Sequence, residues 1–423
     1  LLKVVKCEGC MKILVLNAGS SSQKSCLYEI PEAAFPETPA EPIWEAMVDW
    51  GANPDSGRLS VAANGTHHER HLPTDAPSRG LEEVLETLVQ GETQVLGSLS
   101  EIAIVGHRVV HGGDRYSQAT FVTEAVKETI ERLIPLAPNH NPAHLEEILA
   151  VEAVLGDIPQ VAVFDTAFHT SIPAAAATYP IPYEWFDKGI RRYGFHGISH
   201  RYCAQRAAAL AGKPLESLRM ITAHLGNGAS LAAIREGKSI NTTMGFTPLE
   251  GLMMGTRSGS IDPAIPLYLL KETGLDAQGV DRLLNKESGL KGIFGPSGDL
   301  REILQAREAG NRRAALAFEM YVGRLQGAIA ALIPQLGGLD LLAFTAGVGE
   351  NSSAVREATC AGLTFLGLEL DAARHESSGQ DWQMSSPNSS VQVWVIHAQE
   401  DWAIARDCWQ LAQSHRKGYS NET

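Results

Sequence analysis

The sequence predicts an α/β protein built as two lobes, and three observations carry that expectation. At 423 residues the chain exceeds the roughly 250 to 300 residues at which a single hydrophobic core stops growing. Apolar residues recur at three and four over 80–89, 123–133, 144–155, 200–210 and 312–336, and these helical stretches alternate with short apolar runs at 102–105, 161–164 and 341–345. Such alternation argues for layers of helix on sheet. The third observation is one segment grammar used twice: an apolar run, a turn of glycine and small polar residues, then a second apolar run.

The first copy is Ile13-Leu14-Val15-Leu16 into Asn17-Ala18-Gly19-Ser20-Ser21-Ser22, followed by 23–28. The second is Met220-Ile221-Thr222-Ala223 into His224-Leu225-Gly226-Asn227-Gly228-Ala229-Ser230, followed by 231–234 and a turn at Glu236-Gly237-Lys238. Both read as β-hairpins. A P-loop would instead need a glycine loop opening a helix, and no Gly-x-x-x-x-Gly-Lys-Ser/Thr string occurs. Two hairpins in one chain suggest a duplication in which each half supplies one lobe and one loop, with a nucleotide between them. Segments 52–78 and 375–390, rich in Ser, Asn, Gly and Pro, are expected as surface loops.

Composition narrows the function classes. With 35 Lys and Arg against 49 Asp and Glu the formal charge is -14, which repels nucleic acid and anionic membrane surfaces. No uninterrupted apolar run approaches the ~18 residues of a membrane span. Six scattered cysteines do not make the disulfide framework of a small secreted domain, so a reducing cytoplasm fits. Cys7 and Cys10 have metal spacing, but no second pair completes a zinc site. Residues 1–10 are expected to be an upstream extension, because Met11 opens the first strand.

Small hydroxyl residues on a glycine turn present N–H and O–H groups to one anion, as Asn17 to Ser22 and Gly226 to Ser230 could, although an ordinary hairpin turn looks the same. A third glycine stretch, 344–351, is expected to end a strand and to open a helix at Ser352 or Ser353, and glycine there lets backbone approach a nucleotide. Arg108 and two histidines stand at the end of an apolar strand in 106–113. Asp165 is placed at a strand's carboxyl end, where functional side chains collect in open sheets, though it could equally cap a turn. Polar groups beside glycines recur in Tyr193-Gly194-Phe195-His196-Gly197-Ile198-Ser199-His200 and Gly255-Thr256-Arg257-Ser258-Gly259.

This ordered set resembles the acetate kinase family, in Asn17–Ser22 with Lys24, 106–113, 163–169, 193–200, 224–230, 255–263 and 344–351. The resemblance spans Met11 to about Arg406. It implies two ribonuclease H-like lobes, the duplicated actin-like ATPase fold shared with sugar kinases and heat-shock 70 chaperones, with the active site in the cleft between them. The first lobe would be 11–165 plus 400–423 and the second 166–399, the latter carrying a homodimer interface. The implied reaction is acetate plus ATP giving acetyl phosphate plus ADP, reversibly, with Mg2+ or, as an alternative, Mn2+. The nearest alternatives are a propionate or butyrate kinase and, in another class, a non-catalytic ATP-binding clamp.

A carboxylate acceptor is already ionised at pH 7, so the chemical problem is anion meeting anion. Fixed positive groups and a metal around an in-line phosphoryl transfer meet it. By motif, the resemblance assigns Arg108 and Arg257 to the acceptor and the moving phosphoryl, His196 to its equatorial oxygens, and Asn17 with Asp165 to catalysis. ATP would be held by Lys24, Ser20, Ser22, His224, Gly226, Asn227 and Gly228. Its adenosine end would lie against Asp299, Leu300, Arg301, Gly347, Val348, Gly349, Glu350 and Asn351. The metal would engage Asn17 and Glu400, with Asp165 a further candidate carboxylate. Two departures stand out: Ala398-Gln399-Glu400-Asp401 where the family has Thr-Asn-Glu-Glu, and Asn139 where it has leucine. Asn139 would join Val110, Phe195 and Pro248 around the methyl of acetate, which puts acyl preference in question.

Overall fold

The run Ile13-Leu14-Val15-Leu16 is buried on both faces, which only a strand at the centre of a covered sheet achieves. In the computed structural model, which describes residues 9–19, 22–49, 56–73, 77–138, 140–371, 374 and 380–420, that run lies in β1 (Cys10–Ala18). The chain divides into two compact units, Leu1–Ala167 with Gln399–Thr423, and Phe168–Ala398.

In the first unit β1 pairs antiparallel with β2 (Ser22–Pro31), which continues through β3 (Trp44–Asp49), β4 (Ser56–Ala63) and β5 (Thr66–Pro73). On its other side β1 runs parallel to β6 (Ile104–Val109), with β8 (Gln160–Phe164) beyond and β7 (Thr120–Phe121) antiparallel at the edge. Leu14 and Leu16 point into a core with Leu81, Leu85 and Leu88 of helix Pro77–Val89 and Val151 of helix Asn141–Leu155. Helix Glu400–Ser420 packs on β1 and β6. A Cβ on Gly106 would sit 2.5 Å from Cys408 Sγ and 2.7 Å from Ile404, so only glycine lets that helix approach.

The second unit repeats the plan. β9 (Arg219–Leu225) pairs antiparallel with β10 (Ala229–Arg235), which pairs with β11 (Lys238–Thr242). β9 runs parallel to β12 (Leu341–Thr345), and β12 to β14 (Gln392–Val395), with β13 (Trp382–Gln383) antiparallel at the edge. The core orders β3-β2-β1-β6-β8 and β11-β10-β9-β12-β14 are the same topology twice, as the doubled hairpin implied. Helix Arg312–Leu336 is long and apolar enough, by length and composition, to cross a bilayer. Here Phe318, Leu325, Ile329 and Leu332 of that helix are buried, and it packs on β9, β10 and helix Ser353–Ala361, as a core helix does.

Three local expectations need correction. Residues 56–73 are a hairpin rather than a loop: Leu59, Val61 and Leu72 are buried, and Asn64-Gly65 turns the chain with both φ positive (53 and 76). The apolar run expected at 102–105 is a strand shifted along the chain, β6, so Arg108 does stand at a strand's end but His107 lies inside it. After β12 a helix does begin at Ser353, as expected, but the glycines before it are themselves helical, Ala346–Asn351.

Candidate active site

The first unit assembles a charged set around the β1–β2 turn. Arg108, projecting from β6, donates to both carboxylate oxygens of Asp165 at 3.3 and 2.6 Å, and to the Ala18 carbonyl at 3.2 Å. His144 fixes the same carbonyl: its Nδ1 accepts from the Val110 N–H at 3.3 Å, so its Nε2 is the nitrogen that donates to Ala18, at 3.2 Å. Burial, reinforced by the Arg108 charge, holds His144 neutral, its pKa lowered to about 3. The guanidinium of Arg108 is also buried, but Asp165 and Glu400 outweigh that penalty and keep it above its ordinary value. Asn17 donates to Asp401 at 2.7 Å, and Lys24 lies 3.0 Å from both Glu45 and Asp401.

Glu400 opens its helix 4.0 Å from Arg108 Nε. Its pKa is pushed up to about 7, first by burial, which Arg108 opposes and the nearby Asp165 and Asp401 reinforce. Asp165, Glu400 and Asp401 bring three carboxylates against two fixed cations, Arg108 and Lys24, so the set has room for added positive charge. All its ligating atoms are oxygens, the donors that suit a hard divalent ion. Among the described residues no three His, Cys, Asp or Glu side chains form a ready cage. Ser20 and Asn139 lie outside the described residues, and Ser22 accepts the Gly19 N–H at 2.7 Å through its carbonyl.

The second unit builds its set from neutral groups. His196 sits in the left-handed region (φ 58) at the start of helix Gly197–Leu210, a conformation that costs energy for a non-glycine residue and is characteristic of functional sites. Its ring stacks on His224 with centroids 4.0 Å apart, and its Nδ1 is 2.8 Å from Ser230 Oγ. A Cβ on Gly228 would lie 3.5 Å from Arg257 Nη1 and 3.6 Å from His196 Nε2, so both groups face one spot over that glycine. Arg257 donates to the Pro248 carbonyl at 3.2 Å, and burial lowers its pKa. It makes no ion pair among the described residues. Phe195 and Val110 are buried.

Beside this spot lies a cavity of about 850 Å³, lined in part by Gly226, Asn227, Asp299, Leu300, Arg301, Gly347, Val348 and Asn351. Its walls need glycine: a Cβ on Gly255 would sit 2.3 Å from Asn227 Oδ1, and one on Gly298 2.4 Å from the Gly255 carbonyl. Asp299 caps helix Leu300–Glu308 by accepting the Arg301 N–H at 2.8 Å. Ala346, like His196, is a non-glycine residue at positive φ (64), where the chain turns into the cavity wall. Glu350 is aimed elsewhere, its carboxylate accepting the Ala398 N–H at 2.9 Å and pairing with His397. Gly349 is buried, and neither residue is part of the lining. Sequence reasoning missed Leu290, Leu304, Arg307, Glu308 and Tyr321 in that lining: Tyr321 looked like part of an ordinary amphipathic helix, and the other four carried no motif.

The acetokinase family model matches residues 12–406. The chain belongs to the acetokinase family. Among members of that family it is 59% identical to an acetate kinase of Gloeothece citriformis over 404 residues, covering 95% of this chain and 100% of that one. Its fold matches the crystal structure of Porphyromonas gingivalis acetate kinase with a TM-score of 0.88 at 41% identity, covering 95% of this chain and 100% of the other. It also matches a propionate kinase from Francisella tularensis with a TM-score of 0.86 at 37% identity, covering 95% and 99%. An acetokinase fold therefore carries the charged set of the first unit and the histidine and arginine set of the second.

Proposed function

We propose that the chain is an acetate kinase, moving the terminal phosphoryl group of ATP to acetate and back with magnesium. The single observation that carries this reading is the arrangement over Gly228, where an arginine without a carboxylate partner among the described residues and a histidine edge converge beside a glycine-walled cavity. A buried guanidinium that burial destabilises gains most when an anion arrives. Arg257 and His196 take the charge that develops on the transferring phosphoryl. Arg108, oriented by Asp165, holds the acceptor carboxylate, and Val110, Phe195 and Pro248 are the residues proposed for its methyl group. The nucleoside occupies the cavity with Asp299 and Arg301 at one wall and Gly347, Val348 and Asn351 at another, while Gly226 and Asn227 lead its phosphates toward Gly228.

Asn17 and Glu400 are the residues that would hold magnesium, Glu400 directly or through a bound water, and the excess of carboxylate over cation in that set is what supports them. A bound divalent ion would supply positive charge to offset the negative charge of the phosphates. Asp165 serves by fixing Arg108, a task its two bonds to the guanidinium already perform. A homodimer is supported by the exposed apolar residues Ile265, Leu267 and Tyr268 of helix Ala264–Glu272, an arrangement that favours burial against a second copy. A cytoplasmic setting agrees with the buried free thiols Cys26, Cys203, Cys360 and Cys408.

The second reading, a propionate kinase, is favoured by the likeness to the Francisella structure, and the two readings differ by a pocket contact worth only ~1 to 3 kcal/mol. A hydroxamate assay with ATP and magnesium across acetate, propionate and butyrate tests both. Acyl hydroxamate from acetate at the highest kcat/KM is expected; higher kcat/KM with propionate selects the second reading, and no product from any acid rejects both.

A further inference from the structure

Four histidines of the second unit, 169, 196, 200 and 224, cluster ring against ring, and two of them, 196 and 200, share one side-chain hydroxyl. Ser230 Oγ lies 2.8 Å from both His196 Nδ1 and His200 Nε2, and Thr222 Oγ1 lies 2.7 Å from His200 Nδ1. Ser230, Thr222 and His200 are fully buried, so no bulk water substitutes for a missing partner. A serine hydroxyl has one proton to donate. Whichever ring accepts that proton, the other must donate to the oxygen, and the protonation of His196 is therefore tied to that of His200.

The direction of the chain follows from the neutrality of His200 and from the donor that His196 must present to a phosphoryl oxygen. Burial, with His169 and His224 nearby, holds His200 neutral, so it has one N–H and one bare nitrogen. If that N–H is on Nε2, it donates to Ser230, and Thr222 donates to Nδ1. Ser230 then donates to His196 Nδ1, which leaves the His196 proton on Nε2. In this order His200 and Ser230 each give one hydrogen bond and take one. The opposite order puts the His196 proton on Nδ1 and leaves Nε2 a bare lone pair, which accepts from Arg257 but offers no N–H to an arriving phosphoryl oxygen; a second proton on Nε2 would set like charge beside the guanidinium. We propose that Ser230 is a positioning residue for His196: its hydroxyl, held between the two rings, keeps the His196 proton on Nε2, the nitrogen that shares the space over Gly228 with Arg257. This deepens the reading of His196 as a phosphoryl-stabilising donor and rests on it. A donor fixed before the phosphoryl arrives needs no reorganisation at the moment of transfer.

Two measurements test it. Nitrogen NMR of histidine-labelled protein, with His196 assigned by its loss in His196→Asn, should show a neutral ring protonated at Nε2 in the wild type. It should show a mixed tautomer in Ser230→Ala. In steady-state kinetics Ser230→Ala should lower kcat by at least about tenfold while the KM values for ATP and acetate stay within about threefold, and Ser230→Thr, which keeps the hydroxyl, should recover most of the rate. A wild-type His196 protonated on Nδ1 overturns the proposal. So does a Ser230→Ala enzyme within about twofold of wild-type kcat. Should the alanine variant not fold, the wild-type spectrum decides alone. Absence of activity on any of the three acids, with the Nε2 tautomer present, removes the functional reading and leaves the hydrogen-bond chain standing.

Discussion

Arg108 and Arg257 occupy two units with the same strand order, yet their surroundings are opposite. Arg108 is delivered with its counter-charge: Asp165 takes two of its bonds and Glu400 stands at 4.0 Å. Arg257 is delivered without one, held by a proline carbonyl and neighboured by a histidine edge. The difference teaches that a buried cation can be tuned either way on one fold. Compensated, it is an oriented fork whose charge is largely spent; uncompensated, it stores a demand for an anion that only the substrate meets.

Alanine variants give the largest expected effect and separate the two directly. Each should cut turnover at least about a hundredfold, or about 2.7 kcal/mol of transition-state stabilisation. Their stabilities should diverge. Arg108→Ala strands Asp165, which is 1% exposed, and should lower unfolding free energy by roughly 2 to 4 kcal/mol. Arg257→Ala removes a half-buried charge with no carboxylate partner among the described residues and should leave thermal stability unchanged or raised. Denaturant titration alongside kinetics checks both, and equal destabilisation would break the comparison.

A smaller effect belongs to Glu400. Its pKa in the folded protein, raised to about 7 from an ordinary 4.5, means the folded state binds the proton more tightly than the unfolded state. Its stabilising contribution is therefore complete below about pH 4.5 and is lost as pH rises through 7. In metal-free buffer Glu400→Gln should be more stable than wild type at pH 8, by on the order of 1 to 2 kcal/mol, with the difference vanishing near pH 4.5. Magnesium should stabilise the wild type more than the variant at pH 8. A pH-independent difference would remove Glu400 as the titrating group.

Much of the architecture was legible because its signals are local. The runs at 13–16 and 220–223 and their glycine turns lie in continuous sequence, and helix Arg312–Leu336 begins and ends where its periodicity does. The β4–β5 hairpin was not legible as strand, because an outer pair buries few residues and its polar face looks like loop; the one local cue was Asn64-Gly65. Side chains beside glycines pointed to His196 and Arg257, while what holds them did not show. Ser230 is 34 residues from His196 and Asp401 is 384 from Asn17, and no local pattern pairs residues so far apart. The cavity's helical lining stayed hidden for the same reason: Leu304 and Tyr321 obey the period of a core helix whether the space they face holds protein or ligand.

The smallest expected effect is at Asn139, outside the described residues, where leucine should lower the KM for acetate several-fold with the KM for ATP unchanged, since an amide facing a methyl group leaves about 1 to 3 kcal/mol of hydrogen bonding unmet. Unchanged KM values for acetate and propionate would exclude Asn139 from the pocket.

The helix that opens at Glu400 belongs to the first unit but is made last. During synthesis β1 and β6 leave the ribosome early, and the helix whose Ile404 and Cys408 close over Gly106 follows only after all of Phe168–Ala398. At about 5 to 20 residues per second the interval is tens of seconds at the slower rates. Through that time one face of the first sheet lacks its cover, and Asp401 has not yet reached Asn17 and Lys24. The second unit is free to fold first, so this protein completes its beginning at its end. Shortening the chain at the C-terminal side would thus disable the N-terminal sheet before it touched anything in between.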